Sequence, residues 1–579
     1  MAKKMDKVDV VTIGVGWTAG IIAAELTKKG KKVVGLERGE DRSTEDFQMI
    51  HDEYRYAMRY GLMQDLSKET VTFRNSPDER ALPMRQLGSF LPGTGVGGAG
   101  IHWNGQTWRF LPYDFQIKTE TEKKYGKDKL GKDYMLQDWG ITYDELEPYF
   151  YKYELTSGIS GEDNPLGAPR KHKYPTPPMK STPILDRFKK AAKDMKLHPF
   201  QMPSANLSES YKNPDGQQIN ACQYCGFCER FGCEYGAKVS PNITVIPTAQ
   251  KTGKFELRTD ANVVEILHDG KKATGVKYID VKTGETYEQP ADVVVLTSFV
   301  LNNTRLLLHS NIGEPYDPKT KKGVVGKNYC YQITAGATGF FDHEKFNTFM
   351  GAGSLGATVD DFNGDNFDHK DLKFIHGGSL SITQTGRRPI GNNPVPKGTP
   401  KWGKEFKKQS LKYFNRSLSV GAQGASMPHR YNYLSLDKTY KDAYGVPLLQ
   451  MTYDFTDQDR ELHKYISKQA GKILKKMGAD KVEEKTMSDH YDITPYQSTH
   501  NTGGVIMGDN PETSAVNNYL QMWDMDNLFV VGASAFAHNG GYNPTGTVGA
   551  LSYRAAEGIE KYLDKGGQLT EAKRTKQLV

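Results

Sequence analysis

Between residues 8 and 37 the chain reads as strand, glycine turn, helix, strand and acid, and no other stretch restricts its fold as tightly. Val8–Ile13 is an apolar run suited to a parallel strand buried on both faces. Gly14-Val15-Gly16-Trp17-Thr18-Ala19 follows, a helical pattern runs from about Ile21 to Lys29, and Val33–Leu36 is a second strand ending at Glu37. Gly14 and Gly16 let backbone approach a pyrophosphate, and Ala19 takes the third, small-residue position of the fingerprint. The next helix turns its free N–H groups toward the phosphates. A carboxylate at Glu37 suits ribose hydroxyls. A plain tight turn would leave Glu37 unexplained. A Rossmann-like dinucleotide site is therefore expected, and the motif alone leaves FAD and NAD both open.

A second glycine loop narrows the choice. Gly95, Gly97, Gly98 and Gly100 crowd ahead of His102-Trp103-Asn104-Gly105. Backbone so free of side chains can lie along a flat ligand such as an isoalloxazine. Near the C-terminus stand His500-Asn501-Thr502-Gly503-Gly504 and Gly541-Tyr542-Asn543-Pro544-Thr545. Proline fits a first helical turn because it lacks an N–H that would go unsatisfied there. The positive end of that helix would stabilise negative charge on a reduced flavin. His538 reads as a polar loop residue.

Four of the five cysteines fall in one short run, Cys222-x2-Cys225-x2-Cys228-x4-Cys233, while Cys330 is alone. Bacterial ferredoxins space theirs Cys-x2-Cys-x2-Cys-x3-Cys-Pro; here the last gap is four and Glu234 follows. Structural zinc takes two separated ligand pairs. An iron–sulfur cluster is expected, 4Fe–4S if all four bind and 3Fe–4S if one stands aside. Zinc, and free or disulfide thiols, are the alternatives.

With 76 basic and 69 acidic residues the net charge is +7 over 579 residues, and no basic stripe points to nucleic acid. Lysines bunch at Lys118–Lys132 and Lys397–Lys412, read as solvated loops or, alternatively, as a dock for an acidic partner. No run of 18 apolar residues exists, so no transmembrane helix is expected. Lys3, Lys4 and Val8–Ala24 mimic a signal peptide. That stretch carries the nucleotide fingerprint, so no export signal is expected.

The remaining chain is less patterned. Residues 41–90 are polar and mixed, and 113–220 reads as an insertion. Phe255–Thr259, Asn262–Leu267, Ala273–Asp280 and Val293–Thr297 look like short strands, with a helix at Asn302–His309. Gly351–Pro400 reads as Gly/Asn/Pro-rich loops. Tyr431–Leu436 and Leu448–Phe455 read as strands and Asp457–Met477 as a long amphipathic helix. A strand at Asn527–Val531 and a helix at Thr545–Tyr562 return to the nucleotide domain.

Together these motifs resemble the glucose–methanol–choline (GMC) oxidoreductase family. The resemblance covers most of the chain and is sharpest at 8–39, 93–110, 324–328 and 498–560. Gly16-Trp17-Thr18, Ala221–Lys238 and Gly541–Thr547 resemble its branch of gluconate 2-dehydrogenase flavoproteins and related sugar dehydrogenases. The resemblance implies an α/β fold, α+β overall: an FAD-binding Rossmann-like domain plus a substrate domain with an antiparallel sheet. The first would take 1–50, 85–112, 240–335 and 495–565. The second, with insertions, would take 51–84, 113–220 and 336–494, and 221–239 would be the iron–sulfur segment.

Residue by residue, His500 falls on the family's catalytic histidine, and Asn543 on the asparagine partner of cholesterol oxidase and pyranose 2-oxidase. His102-Trp103 resembles the pyranose 2-oxidase pair whose histidine is joined to the flavin 8α carbon, which implies covalent FAD through His102. Cofactor contacts are expected at Gly14, Gly16, Ala19, Glu37, Gly97, Gly98, His102, Asn104, Pro544 and Thr545. Cys222, Cys225, Cys228 and Cys233 resemble a 3Fe–4S relay. Gly532-Ala533-Ser534 departs from the Asp-Ala-Ser of many members, which leaves one flavin or phosphate contact open.

The activity implied is oxidation of a secondary alcohol on a sugar or sugar acid, gluconate-like, with hydride passing to flavin N5. Electrons would then cross the cluster to a cytochrome or quinone. A small subunit is implied, with a peripheral place at the cell membrane through it, or else a cytoplasmic one. Two other readings stand beside this: a sugar or glycoside oxidase using oxygen, and an electron-transfer flavin/iron–sulfur subunit without its own substrate.

Overall fold

The computed structural model describes residues 2–47, 62–85, 92–495 and 498–573. Residues 48–61 and 86–90 of the polar 41–90 stretch lie outside these. Val8–Ile13 pairs in parallel with Val33–Leu36 on one side and with Thr286–Leu296 on the other. The sheet runs Ala261–His268, Ala273–Asp280, Thr286–Leu296, Val8–Ile13, Val33–Leu36, Phe255–Arg258. Leu528–Val530 joins it in parallel against Thr286–Leu296, so strands more than 500 residues apart share one sheet. Val10, Val11 and Val293–Leu296 are fully buried, the signature of a sheet covered on both faces.

The first helix spans Trp17–Lys28 and so starts four residues before the expected Ile21. Gly16 caps it, and Trp17 packs edge-on against Trp103 and Tyr153 at 6.0 and 5.6 Å between ring centroids. That packing outweighs the weak helix propensity of Trp, Thr and Gly. At Gly20 the helix lies tight against its neighbour: a Cβ there would stand 2.6 Å from Val245 Cγ2.

A second sheet is antiparallel throughout: Lys481–Glu484, Ile333–Phe340, Ser417–Gly424, Gly378–Thr385, Gly351–Val359, Phe200–Gln201. The reading of Gly351–Pro400 as loops is corrected by two of these strands. Their glycines make room for neighbouring backbone: a Cβ on Gly351 would stand 2.1 Å from Gln384 O, and one on Gly378 2.3 Å from Gln423 O. Asp457–Lys476 packs on this sheet, its start fixed by a capping box in which Thr456 Oγ1 accepts from Asp459 N at 3.2 Å. The 113–220 stretch also holds more order than expected, with helices Ile117–Tyr125, Tyr143–Ser157 and Pro183–Asp194.

One short strand pairing joins distant parts of the chain. Lys327–Tyr331 runs antiparallel to Asn501–Gly504, with Tyr331 opposite Asn501. Gln332 directly follows the first strand and His500 directly precedes the second, so the two side chains meet. Among the described residues no helix is long and apolar enough to cross a membrane.

Candidate active site

The two glycine loops and the C-terminal motifs open onto one cavity of about 440 Å³. Gly14, Gly16, Glu37, Gly97, Gly98, His102, Asn104, His500, Asn543, Pro544 and Thr545 all line it. Two helix N-termini converge there, Gly16-Trp17-Thr18 of the first helix and Pro544-Thr545 of Thr545–Lys565. First-turn N–H groups have no partner within a helix, so each end offers donors and a positive dipole to an anion. Ala19 does not line the cavity; it is fully buried inside the first helix.

Backbone, more than side chains, builds the cradle. Gly14 sits at φ +85°, and a Cβ there would stand 3.0 Å from Ser298 Cα. Gly97 sits at φ +92°, and a Cβ there would stand 2.3 Å from Asn242 Oδ1. Asn242 has little freedom to retreat, because its Nδ2 donates to Arg42 O at 2.9 Å and Val96 O at 3.3 Å. Gly97→Ala is therefore expected to purify with its flavin depleted, measured as flavin absorbance per protein. Native flavin content in that variant would contradict the cradle.

Glu37 does more in the fold than make its expected ribose contact. Its carboxylate accepts from Val15 N at 2.9 Å, Gly39 N at 3.0 Å and Gly95 N at 3.1 Å. It thereby ties the first glycine loop to the second, with lone pairs left over for a ligand hydroxyl. Asn104 spends its Oδ1 on Gln106 N at 3.0 Å. His102 ends the short helix Ala99–His102 and is buried in the wall.

At the other end of the cavity, hydrogen bonds assign each proton. Gln332 Nε2 donates to Gly540 O at 3.0 Å and Tyr542 O at 2.8 Å. Its Oε1 is thus turned toward His500 Nδ1 and accepts from it. Nδ1 carries the hydrogen, so Nε2 keeps its lone pair. Asn543 Nδ2 stands 3.1 Å from that Nε2 and donates to it. Asn539 Nδ2 holds the backbone oxygen of His500 at 2.7 Å. Burial holds the His500 pKa down to about 4, so the ring is an unprotonated base at neutral pH. Asn543 Oδ1 is buried without a hydrogen-bond partner among the described residues, the kind of atom a bound ligand satisfies.

Gln332 and Asn539 were missed at the sequence level. The available signal was a polar residue in the apolar run Tyr329–Ile333. Gln332→Leu removes the acceptor that fixes the tautomer, and flavin reduction by substrate is expected to fall at least about tenfold with FAD retained. Gln332→Glu keeps the acceptor and adds charge. It should restore much of the rate and move the acid limb of the pH profile upward. A profile unmoved in Gln332→Glu would mean that the contact is structural only.

His538 corrects another expectation. It is not a polar loop residue but fully buried, with Trp139 Nε1 donating to its Nδ1 at 3.1 Å. Its Nε2–H donates to Asp114 Oδ1 at 3.0 Å, and His376 Nε2–H donates to the same oxygen at 2.7 Å. Gly364 N–H takes up His376 Nδ1 at 3.3 Å, and Leu111 N–H donates to Asp114 Oδ2 at 2.8 Å. These three side chains lie close enough to hold a metal ion, yet both Nε2 atoms carry hydrogens. The cluster is a hydrogen-bonded brace behind the 538–543 segment.

None of the four clustered cysteines is in a disulfide. Three sulfurs receive N–H groups: Cys222 from Tyr224 N at 3.4 Å, Cys233 from Lys238 N at 3.4 Å, and Cys228 from Asn206 Nδ2 at 3.7 Å. Burial pushes the Cys222 thiol up to about 12 and Cys228 up to about 11. Among the described residues no three of these sulfurs lie within 4.8 Å of one another. Tetrahedral zinc would hold them about 3.8 Å apart.

Comparison with known proteins places this geometry. Two family models described as GMC oxidoreductase match residues 201–334 and 428–552. The gluconate 2-dehydrogenase flavoprotein of Pantoea cypripedii is 42% identical, covering 99% of this chain and 97% of its own length. The chain belongs to the GMC oxidoreductases. It is thus an FAD-dependent oxidoreductase acting on CH–OH groups, with the mixed α/β fold expected. The fructose dehydrogenase large subunit of Gluconobacter japonicus is 27% identical, covering 98% of this chain and 100% of its own. Among solved structures, pyridoxine 4-oxidase from Mesorbium loti shares the fold of this GMC chain, with a TM-score of 0.57 and 16% identity over 96% of this chain and 99% of that one.

Proposed function

We propose that this GMC oxidoreductase is a dehydrogenase of a secondary alcohol on a sugar or sugar acid, gluconate-like. The observation that carries the reading is the His500–Asn543 pair, its protons assigned, facing the cavity that both glycine loops line. Bound FAD would supply the hydride acceptor. A substrate hydroxyl entering between the pair would replace their direct bond, donating to His500 Nε2 and accepting from Asn543 Nδ2. His500 takes the proton as general base, which raises the hydride-donor strength of the attached C–H. Gln332 Oε1 then holds the Nδ1–H of the resulting imidazolium. The N-terminus of Thr545–Lys565 offers its positive end to the charge that reduction adds.

Gly14, Gly16, Gly97, Gly98, Pro544 and Thr545 would hold the FAD by backbone, and Glu37 its ribose. His102, in the wall, is the residue through which the flavin would be covalently attached. The discontinuous nucleotide and substrate regions take the boundaries that the family resemblance implies. Cys222, Cys225, Cys228 and Cys233 would hold an iron–sulfur cluster. Their Cys-x2-Cys-x2-Cys-x4-Cys spacing and the N–H groups on three of the sulfurs support that choice.

A cluster that passes single electrons calls for a cytochrome or quinone acceptor. The names of two relatives, a flavoprotein and a large subunit, support a chain that works beside a smaller subunit. With such a subunit the chain would sit peripherally at the membrane; without one it would be cytoplasmic. Turnover of gluconate or glucose should couple to a soluble quinone or cytochrome. If hydrogen peroxide instead accounts for all the electrons in air, the protein is an oxidase and the acceptor reading fails.

A further inference from the structure

Lys238 is 2% exposed, and its ammonium is spent on three carbonyl oxygens. Nζ donates to Cys228 O at 2.7 Å, Phe231 O at 2.7 Å and Trp103 O at 2.8 Å. Two of these belong to the cysteine segment. The third belongs to the residue after His102, in the wall of the cavity. Further bonds stitch the same two segments: Arg230 N donates to His102 O at 2.6 Å, and Trp103 Nε1 donates to Val239 O at 2.9 Å.

What the ammonium lacks is a counter-charge. Among the described residues it makes no ion pair, whereas the buried guanidinium of Arg305 pairs with Glu69 at 2.8 Å and Asp442 at 2.7 Å. A buried charge is costly unless it is paired. Carbonyl dipoles solvate it but leave its charge uncancelled. The segment that its carbonyl bonds reach carries Cys225, Cys228 and Cys233, three of the four candidate ligands. As thiols they are neutral and offer the ammonium no opposite charge. As thiolates around a bound metal cluster they are anionic, because ligation deprotonates them.

We propose that Lys238 is the fixed counter-cation of the anionic cluster held by Cys222, Cys225, Cys228 and Cys233, and that its charge sets the reduction potential of that cluster. This inference rests on the iron–sulfur reading above. Each electron that enters the cluster adds one negative charge. A cation held at close range in a low-dielectric interior favours that state and raises the potential. The same ammonium touches Trp103 O, so it also fixes the cluster segment against the flavin-side wall.

The test compares native protein with Lys238→Met, which keeps the length and loses the charge, and with Lys238→Arg, which keeps the charge. Flavin content serves as the folding control. Iron and acid-labile sulfide are counted, and the cluster midpoint is read by spectroelectrochemistry. With iron retained, the midpoint of Lys238→Met should fall by at least the equivalent of about tenfold in the one-electron equilibrium, about 59 mV. Lys238→Arg should stay near native. An unchanged midpoint in iron-loaded Lys238→Met overturns the proposal. If Lys238→Met takes up no iron, Lys238→Arg decides: iron at a near-native midpoint supports the proposal, and no iron in either overturns it. Native protein without iron or sulfide sinks the cluster reading itself, a failure distinct from an unmoved midpoint.

Discussion

His500→Ala is expected to keep its FAD and to lose flavin reduction by substrate, about 10²–10⁴-fold, the range a positioned general base supplies. The alanine leaves Asn543 Nδ2 and Gln332 Oε1 without the ring between them, but the glycine cradle that would hold the cofactor lies elsewhere on the cavity wall. Binding and chemistry should therefore separate. The native pH profile carries the same signature. Burial lowers the His500 pKa to about 4, so the base is ready well below the ordinary histidine range near 6.5. Flavin reduction should hold as pH falls through 6.5 and fail only toward 4. An acid limb centred near 6.5, or near-native reduction in His500→Ala, would remove His500 from the role.

Asp114→Ala should be the most damaging change away from the cavity. It leaves the Nε2–H groups of His376 and His538, and the Leu111 N–H, buried without their acceptor. Each buried donor left without an acceptor costs about 1–3 kcal/mol. The brace stands behind Gly540, where a Cβ would be 2.8 Å from Asp114 Oδ1, and Gly540 O is one of the carbonyls that orient Gln332. A lower melting temperature should thus come with impaired flavin reduction. Asp114→Asn, which keeps one acceptor oxygen, should be milder.

The pH dependence follows from the sign of the shift at Asp114. Burial alone would raise its pKa; His376 first, then His538, outweigh this through the Nε2–H groups they turn on the carboxylate, and hold it well below the usual carboxylate range. A depressed folded-state pKa makes the stabilisation fully present above the unfolded value of about 3.9 and lost as pH falls below it. The melting temperatures of native and Asp114→Ala proteins should therefore differ at pH 7 and converge only in strong acid. Equal melting temperatures at pH 7 would contradict the brace.

The nucleotide half of the fold was legible because its signals are local. Val8–Ile13, Gly14, Gly16 and Glu37 lie within one βαβ unit, and the glycines announce a backbone that must pass close to something. The same residue type misled in Gly351–Val359 and Gly378–Thr385. There glycine makes room for a neighbouring strand and not for a loop, and only the paired strand tells the two apart. His500 and Asn543 could be placed because their flanking glycines and proline are distinctive. Gln332, Asn539 and the Asp114–His376–His538 brace could not. The bonds that give them their roles reach across 39 to 424 residues, the local contacts of Asp114 with Leu111 and of His376 with Gly364 aside. A single polar letter in a strand carries no sign of what it will touch. His538 shows the limit plainly: in a glycine-rich context it reads as exposed, and the fold buries it.

The most direct test of the central claim is an anaerobic absorption spectrum of the purified protein before and after adding gluconate, then glucose. Flavin bands over a broad iron–sulfur shoulder, with the flavin bleached by one of these, is the predicted result. Flavin that stays oxidised with both, while remaining reducible by dithionite, would contradict a sugar or sugar-acid dehydrogenase.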